Sequence, residues 1–312
     1  MLKGVIPMLP TPFDGNKNVI FDDISSLIEN QIQMGVHGIS ILGLGGESAF
    51  LSYEERIAIT EYTVNEVAGR LPIIVGVGAE TTEDTCNLAI HASLQGISAI
   101  MLAPRPIKTQ TKADLVDYFT RVSKAAEGIN IMLQDAPEYL GIDLNNELMK
   151  HLTDEIKNIS YIKSEKPPVS NTIFNLKQTF SKEDIGIFGG QAAVGFFELL
   201  ESGGTGTIPG CEATSVLVKI WDEYVVNKNK KRAMEIFHKV LPFFVFEMQS
   251  LEMFIKCTKT ILHQKGIISS NETRFEIELS PVAQSILERH FVQLMEVEHQ
   301  LKGAKNVNKE TN

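Results

Sequence analysis

The chain alternates short apolar runs with amphipathic segments, recurring about every 26–34 residues, and this alternation constrains the fold more than any other feature. The runs are GVIPML (4–9), GISILGL (38–44), PIIVGVG (72–78), GISAIMLAP (96–104), NIMLQDAP (130–137), ISYIKSE (159–165), GIFGGQ (186–191) and GTGTIPG (204–210). They are rich in Ile, Val and Gly and do not alternate with polar residues. Strands covered on both faces read this way, as in a parallel sheet. Helical patterns fill the gaps. Ile24, Leu27, Ile28 and Ile32 share one face and are followed by Gly35 as a stop. Ser52 with Glu55, and Thr81 with Asp84, have the capping-box spacing, and Gly69, Gly96 and Gly128 close their segments. Eight such units predict an α/β fold, a (β/α)8 TIM barrel, near its usual ~250 residues. A doubly wound open sheet would call for G-x-G-x-x-G after the first strand, and GVIPMLPTPFDGN is followed by nothing of that form.

Past residue 226 the strand pattern stops. Two helical stretches follow, joined by a polar turn around SSNETR, and predict a three-helix extension with a break near Pro242. The expected organisation is a barrel over 1–226, a helical domain over 227–302 and a polar, disordered tail over 303–312.

Composition narrows the partners. A formal charge of -10 and a pI near 5.3 argue against nucleic acid, whose phosphates call for a basic patch. No apolar run approaches a membrane span, and the five-residue apolar stretch at the N-terminus, broken by prolines, does not read as a signal peptide. Cys86, Cys211 and Cys257 lie far apart, as expected of free, buried thiols in a reducing cytoplasm. His37 and His91 fall in apolar-periodic stretches and read as core or interface residues. No metal site and no cofactor are expected.

In a barrel of this kind function collects at the C-terminal ends of the strands. Only one of those ends carries a lysine inside its apolar run, Lys163. Desolvation there would favour the neutral amine, which can attack a ketone and form a Schiff base. A plain ion pair with Glu165 or Glu47 is the competing reading. The loop GLGGES (43–48) is the second feature, because amides of Gly45 and Gly46 could cradle a carboxylate, or the glycines could simply make a tight connection.

The opening GVIPMLPTPFDG, the loop GLGGESAFLSYEER, LPIIVGVGAETTEDT, NISYIKSE and IGIFGGQAA, in this order, resemble the dihydrodipicolinate synthase / N-acetylneuraminate lyase family of class I Schiff-base barrels over about residues 1–300. The resemblance implies a homotetramer, a dimer of dimers, holding pyruvate or another 2-oxo acid as an imine on Lys163 without metal or cofactor. It also implies a substrate-binding set of Gly45, Gly46, Glu47, Asp135, Tyr139 and Gly190. Departures accompany it. Leu44 and Gly45 stand where two hydroxyl residues are usual, Gln134 where the family has its proton-relay tyrosine, and Asp135 where it has an asparagine. Tyr139 replaces a substrate-binding arginine, and Arg105 and Lys108 replace an aromatic pair lent across the dimer interface. Glutamine cannot act as a general acid or base in the ordinary range. Strand parity puts Gln134 and Asp135 on opposite faces and Glu165 on the face of Lys163, so Lys163, Gln134 and Glu165 form the candidate catalytic set. Two functions stay open: a lyase or aldolase acting on a 2-oxo acid, and a non-catalytic or regulatory paralogue that binds one. The missing tyrosine and arginine count against aspartate semialdehyde as co-substrate.

Overall fold

A computed structural model describes the chain apart from Pro106 and residues 108–110, 182–183 and 308–312. Each apolar run holds one strand: β1 (Gly4–Val5), β2 (Ile39–Ile41), β3 (Ile73–Gly76), β4 (Ala99–Leu102), β5 (Asn130–Asp135), β6 (Ile159–Ser164), β7 (Gly186–Gly189) and β8 (Gly206–Thr207). All neighbours are parallel, in the order β1-β8-β7-β6-β5-β4-β3-β2. A Met8–Ser40 bridge closes the β1/β2 seam, with the amides of Ser40 and Leu9 donating to Pro7 O and Ser40 O at 2.8 Å each. The fold is the expected TIM barrel.

Helices cover the outside: α1 (Phe21–Met34), α2 (Tyr53–Val67), α3 (Thr82–Leu94), α4 (Lys112–Ala125), α5 (Pro137–Leu140), α6 (Asn146–Glu155), α7 (Val169–Thr179), α8 (Phe196–Glu201) and α9 (Thr214–Trp221). Their limits follow from local chemistry. Gly35 ends α1 in the left-handed region at φ 78°, Ser52 and Glu55 form a complete capping box on α2, and the Thr81 side chain accepts from the Asp84 amide at α3.

Strand parity sorts the apolar residues into two cores. Alternate residues, Ile74, Met101, Met132, Tyr161, Phe188 and Ile208 among them, fill the barrel interior. The others pack outward against the helices. That interior set fixes which residues further along each strand point into the mouth.

The C-terminal extension comprises α10 (Lys230–Glu247), α11 (Leu251–Gln264) and α12 (Pro281–Val307). The expected break at Pro242 does not occur. Pro242 lies inside α10, and the chain turns instead at Met248–Ser250, where Ser250 caps α11 by accepting from the Met253 amide at 3.1 Å. Phe243, Phe244 and Phe246, just past the proline, are buried, and their packing outweighs the one hydrogen bond that proline removes. Of the stretch expected as a tail, 303–307 has helical backbone at the end of α12, and 308–312 lies outside the described residues. Among the described residues no helix is long and apolar enough to cross a membrane, and no cluster of three or more His, Cys, Asp or Glu could hold a metal ion.

Candidate active site

Lys163 on β6 and Gln134 on β5 are register partners, two residues beyond the interior residues Tyr161 and Met132. Both therefore point into the mouth. The Glu165 amide donates to Asp135 O at 2.8 Å, which carries the β5–β6 ladder past the strand ends and keeps Glu165 on the face of Lys163. The lysine ammonium and the Glu165 carboxylate are ion-paired, with only 5% and 6% of each residue exposed. A pair this dry holds together only because both charges are present, since removing one strands the other.

A small cavity of about 40 Å³ adjoins the pair. Leu44 and Gly45 close one side and Tyr139, Gln191 and Ala192 another, while Met248, Leu251 and Phe254 form a third wall from the C-terminal helices. Burial, and then the negative charges of Glu165 and Glu138, push the Tyr139 phenol up to about 12. Tyr139 therefore stays protonated near neutrality and serves as a hydrogen-bond donor.

Gly190 adjoins the Lys163–Glu165 pair without contributing a side chain. A Cβ there would stand 2.3 Å from Glu165 Oε1, so glycine is what leaves room for the carboxylate. Just beyond it, Gln191, Ala192 and Ala193 all have positive φ, at 52°, 48° and 69°. Each left-handed non-glycine residue costs roughly 1–2 kcal/mol, so this turn is held by its surroundings. Gln191 Nε2 donates to Glu138 Oε2 at 3.3 Å, and the Ala193 amide to Gly190 O at 3.1 Å.

Other expected residues are placed elsewhere. The Gly46 amide donates to Gly43 O at 3.0 Å and its carbonyl accepts from Thr11 Oγ1 at 2.7 Å, so both groups are engaged by the loop and its surroundings. Gly45 does line the cavity, and a Cβ on it would come within 2.9 Å of the Phe254 ring. Glu47 is fully buried, paired with Lys259 of α11 and accepting from the Arg274 amide at 2.8 Å, and thus ties the loop to the extension. Lys259 lies 4.3 Å above the Phe13 ring, and burial pushes its ammonium down to about 8 against the pull of Glu47.

Asp135 faces away from the mouth. Its carboxylate accepts from the Leu144 amide and from Ser164 Oγ, both at 3.3 Å, and burial pushes it up to about 6. The Gln134 side chain borders a neighbouring cavity of about 490 Å³, shared with Leu44, Arg56, Met101, Arg105 and Tyr118. Its Nε2 has no acceptor among the described residues, although Gln134 is only 3% exposed. Arg105 donates to Glu80 O at 3.1 Å and stacks 5.5 Å over Tyr118, while Lys108 lies outside the described residues. His37 Nδ1 accepts from the Val5 amide at 3.2 Å, and His91 pairs with Glu61. Cys86, Cys211 and Cys257 are free, Cys86 half-buried and the others buried. The wall residues Met248, Leu251 and Phe254 carry no motif, and an apolar helix face alone does not tell which cavity it will close.

The profile of the dihydrodipicolinate synthetase family matches residues 1–289. A 4-hydroxy-tetrahydrodipicolinate synthase from Methanocaldococcus jannaschii is 30% identical over 294 residues, covering 92% of this chain and 97% of the relative. One of that name from Bartonella quintana is 34% identical over 163 residues, 52% of this chain and 55% of its own length, so that match spans about half of the relative. Among solved structures, YagE, a prophage protein of the dihydrodipicolinic acid synthase family from E. coli K12, determined in complex with pyruvate, superposes with a TM-score of 0.87 at 24% identity. It covers 95% of this chain and 99% of YagE, a likeness of fold.

Proposed function

The chain belongs to the dihydrodipicolinate synthetase family, and from that premise we propose that it is a class I lyase whose Lys163 forms a Schiff base with pyruvate or another 2-oxo acid. The observation that carries the reading is the buried Lys163–Glu165 pair beside the cavity at the barrel mouth. Glu165 takes one proton from the ammonium, and the freed amine adds to the C2 carbonyl. The carbinolamine then loses water to give the protonated imine. Withdrawal of electrons into that imine lets a C3 proton leave, and the enamine so formed can attack an aldehyde, or the reverse reaction can release one. Glu165 is the proton carrier in these steps, in place of the family's tyrosine. Tyr139, on the wall of the same cavity, donates a hydrogen bond.

The surroundings favour a partner fragment without a carboxylate. Tyr139 replaces the usual arginine, Glu138 lies alongside, and Lys163 is already paired with Glu165. Weak or absent turnover with aspartate semialdehyde follows from this, and robust turnover would refute it. A homotetramer in a reducing cytoplasm completes the proposal, and light scattering on the purified chain tests the assembly.

Incubation with pyruvate, reduction with borohydride and intact mass measurement tests the imine. An adduct in the wild type that is absent in Lys163→Ala supports it, and no adduct with any 2-oxo acid tested overturns it. Gln134, in the place of the family's proton-relay tyrosine, favours a second reading, a keto-acid-binding paralogue without turnover. Trapping without exchange of the pyruvate C3 protons into deuterated water would select that reading.

A further inference from the structure

Behind the cavity wall lies a second pair of buried acids that the chemistry above does not use. Glu212 follows β8 and Glu247 ends α10, and they are 1% and 0% exposed. The two carboxyls act directly on each other across the seam between the barrel and the extension. No donor reaches either oxygen of Glu247, or Oε1 of Glu212, among the described residues. A buried carboxylate that no donor reaches would be an uncompensated charge, so the pair holds at least one carboxyl proton.

The other groups packed around the pair are few. From α11, Thr258 Oγ1 donates to Glu212 Oε2 at 3.1 Å, and Lys265 Nζ donates to the backbone carbonyl of Glu212 at 2.6 Å and to Glu298 of α12 at 2.8 Å. The thiols of Cys211, beside Glu212, and Cys257, on α11, are both pushed up by burial and stay protonated. Among the described residues Lys265 is thus the one cation facing the pair, and it is engaged with the carbonyl and with Glu298. Burial pushes both carboxyls up, Glu247 well above its ordinary value. The pair also adjoins the site. Met248 follows Glu247, Phe254 is one helical turn before Thr258, and a Cβ on Gly210 would touch both Glu212 Oε2 and the Phe254 ring, at 2.2 and 2.9 Å.

We propose that Glu212 and Glu247 hold a proton between them and act as positioning residues for the wall formed by Met248, Leu251 and Phe254, seating it while the proton is held and loosening it when the proton is lost. The unfolded chain releases such protons near the ordinary glutamate value, whereas the folded chain keeps one to higher pH. Stability is therefore fully present below the unfolded value and falls as pH rises toward the folded one, by about tenfold in the folding constant per pH unit for each proton retained.

Thermal melting from pH 5 to 9 of the wild type, Glu247→Gln and Glu212→Gln tests this. An amide can donate the hydrogen permanently, so each variant should lose midpoint less steeply with pH and melt above the wild type at pH 8–9. Hydrogen exchange of peptides spanning 248–258, corrected for intrinsic rates, should show protection falling with pH in the wild type and kept in the variants. If one variant fails to fold, the other reports from the opposite side of the pair. Parallel melting profiles, or failure of both variants to fold at pH 5, overturn the shared proton. A diverging melting profile with identical exchange at 248–258 overturns its control of the wall. Neither measurement depends on imine formation, so both stand or fall apart from the lyase reading.

Discussion

Replacing Gly190 with alanine tests the centre of the site by adding one methyl group. The new Cβ would stand 2.3 Å from Glu165 Oε1, so the carboxylate must retreat by roughly 0.7 Å to reach even the 3.0 Å that real contacts almost never undercut. The backbone at Gly190, φ -134°, lies outside the left-handed region, so the effect is steric crowding of one named group. Glu165 can yield only by moving off Lys163, because its backbone is fixed by the bond to Asp135 O. Overpacking costs about 1–3 kcal/mol. A misplacement approaching 1 Å in a reacting constellation costs about 100-fold in rate. Gly190→Ala should therefore fold, melt a few degrees lower, and trap pyruvate under borohydride at least tenfold more slowly. Gly189→Ala is the matched control: its Cβ would meet Leu199 at 3.2 Å, on the far face of β7 from the lysine, and it should cost stability without slowing trapping. Trapping by Gly190→Ala at the wild-type rate and pH profile would refute the role given to Glu165.

Glu165→Gln should fold with lowered stability, since it strands the Lys163 charge, and lower C3-proton exchange of bound pyruvate by about 100- to 10,000-fold, the usual loss when a general base is removed, as read by NMR in deuterated water. Tyr139→Phe should slow exchange by less than about tenfold and leave its pH profile unchanged between pH 6 and 9, since the phenol at about 12 carries its proton throughout. A new ionisation in that range would contradict this. Asp135 is pushed up to about 6 from 3.8, so its contribution to stability is fully present below pH 4 and lost as pH rises through 6. Asp135→Asn should thus gain on the wild type between pH 4 and 7 in urea unfolding, by up to about 3 kcal/mol. A gap that does not change with pH would show that the carboxyl is not the group titrating.

The barrel was legible because its signal is repeated: eight apolar runs at even spacing, each followed by a helix whose caps can be read residue by residue, as at Ser52 and Thr81. Parity then carried the reading one level further: it put Glu165 on the face of Lys163 and set Gln134 and Asp135 on opposite faces, leaving open which of the two points into the barrel. It could not tell that the Gln134 side chain would turn to the larger neighbouring cavity, because a strand's period sets a face and not a rotamer. The partners that Glu47 and Gly46 take were not legible for a related reason. Proximity to the mouth in sequence says nothing of distant claimants, and the ones that bind them, Lys259, Arg274 and Thr11, come from other parts of the chain. Pro242 misled because helix propensity is a local preference, and the buried phenylalanines around it are not local.

The cavity is walled on one side by Met248, Leu251 and Phe254, residues that belong to none of the eight strands. The Lys163–Glu165 pair thus sits on one piece of architecture, while part of the volume beside it belongs to another. Changes in those three side chains can redraw the range of accepted substrates and leave the barrel's geometry intact. A lineage with this arrangement can drift toward new molecules through its outer helices while its chemistry stays constant.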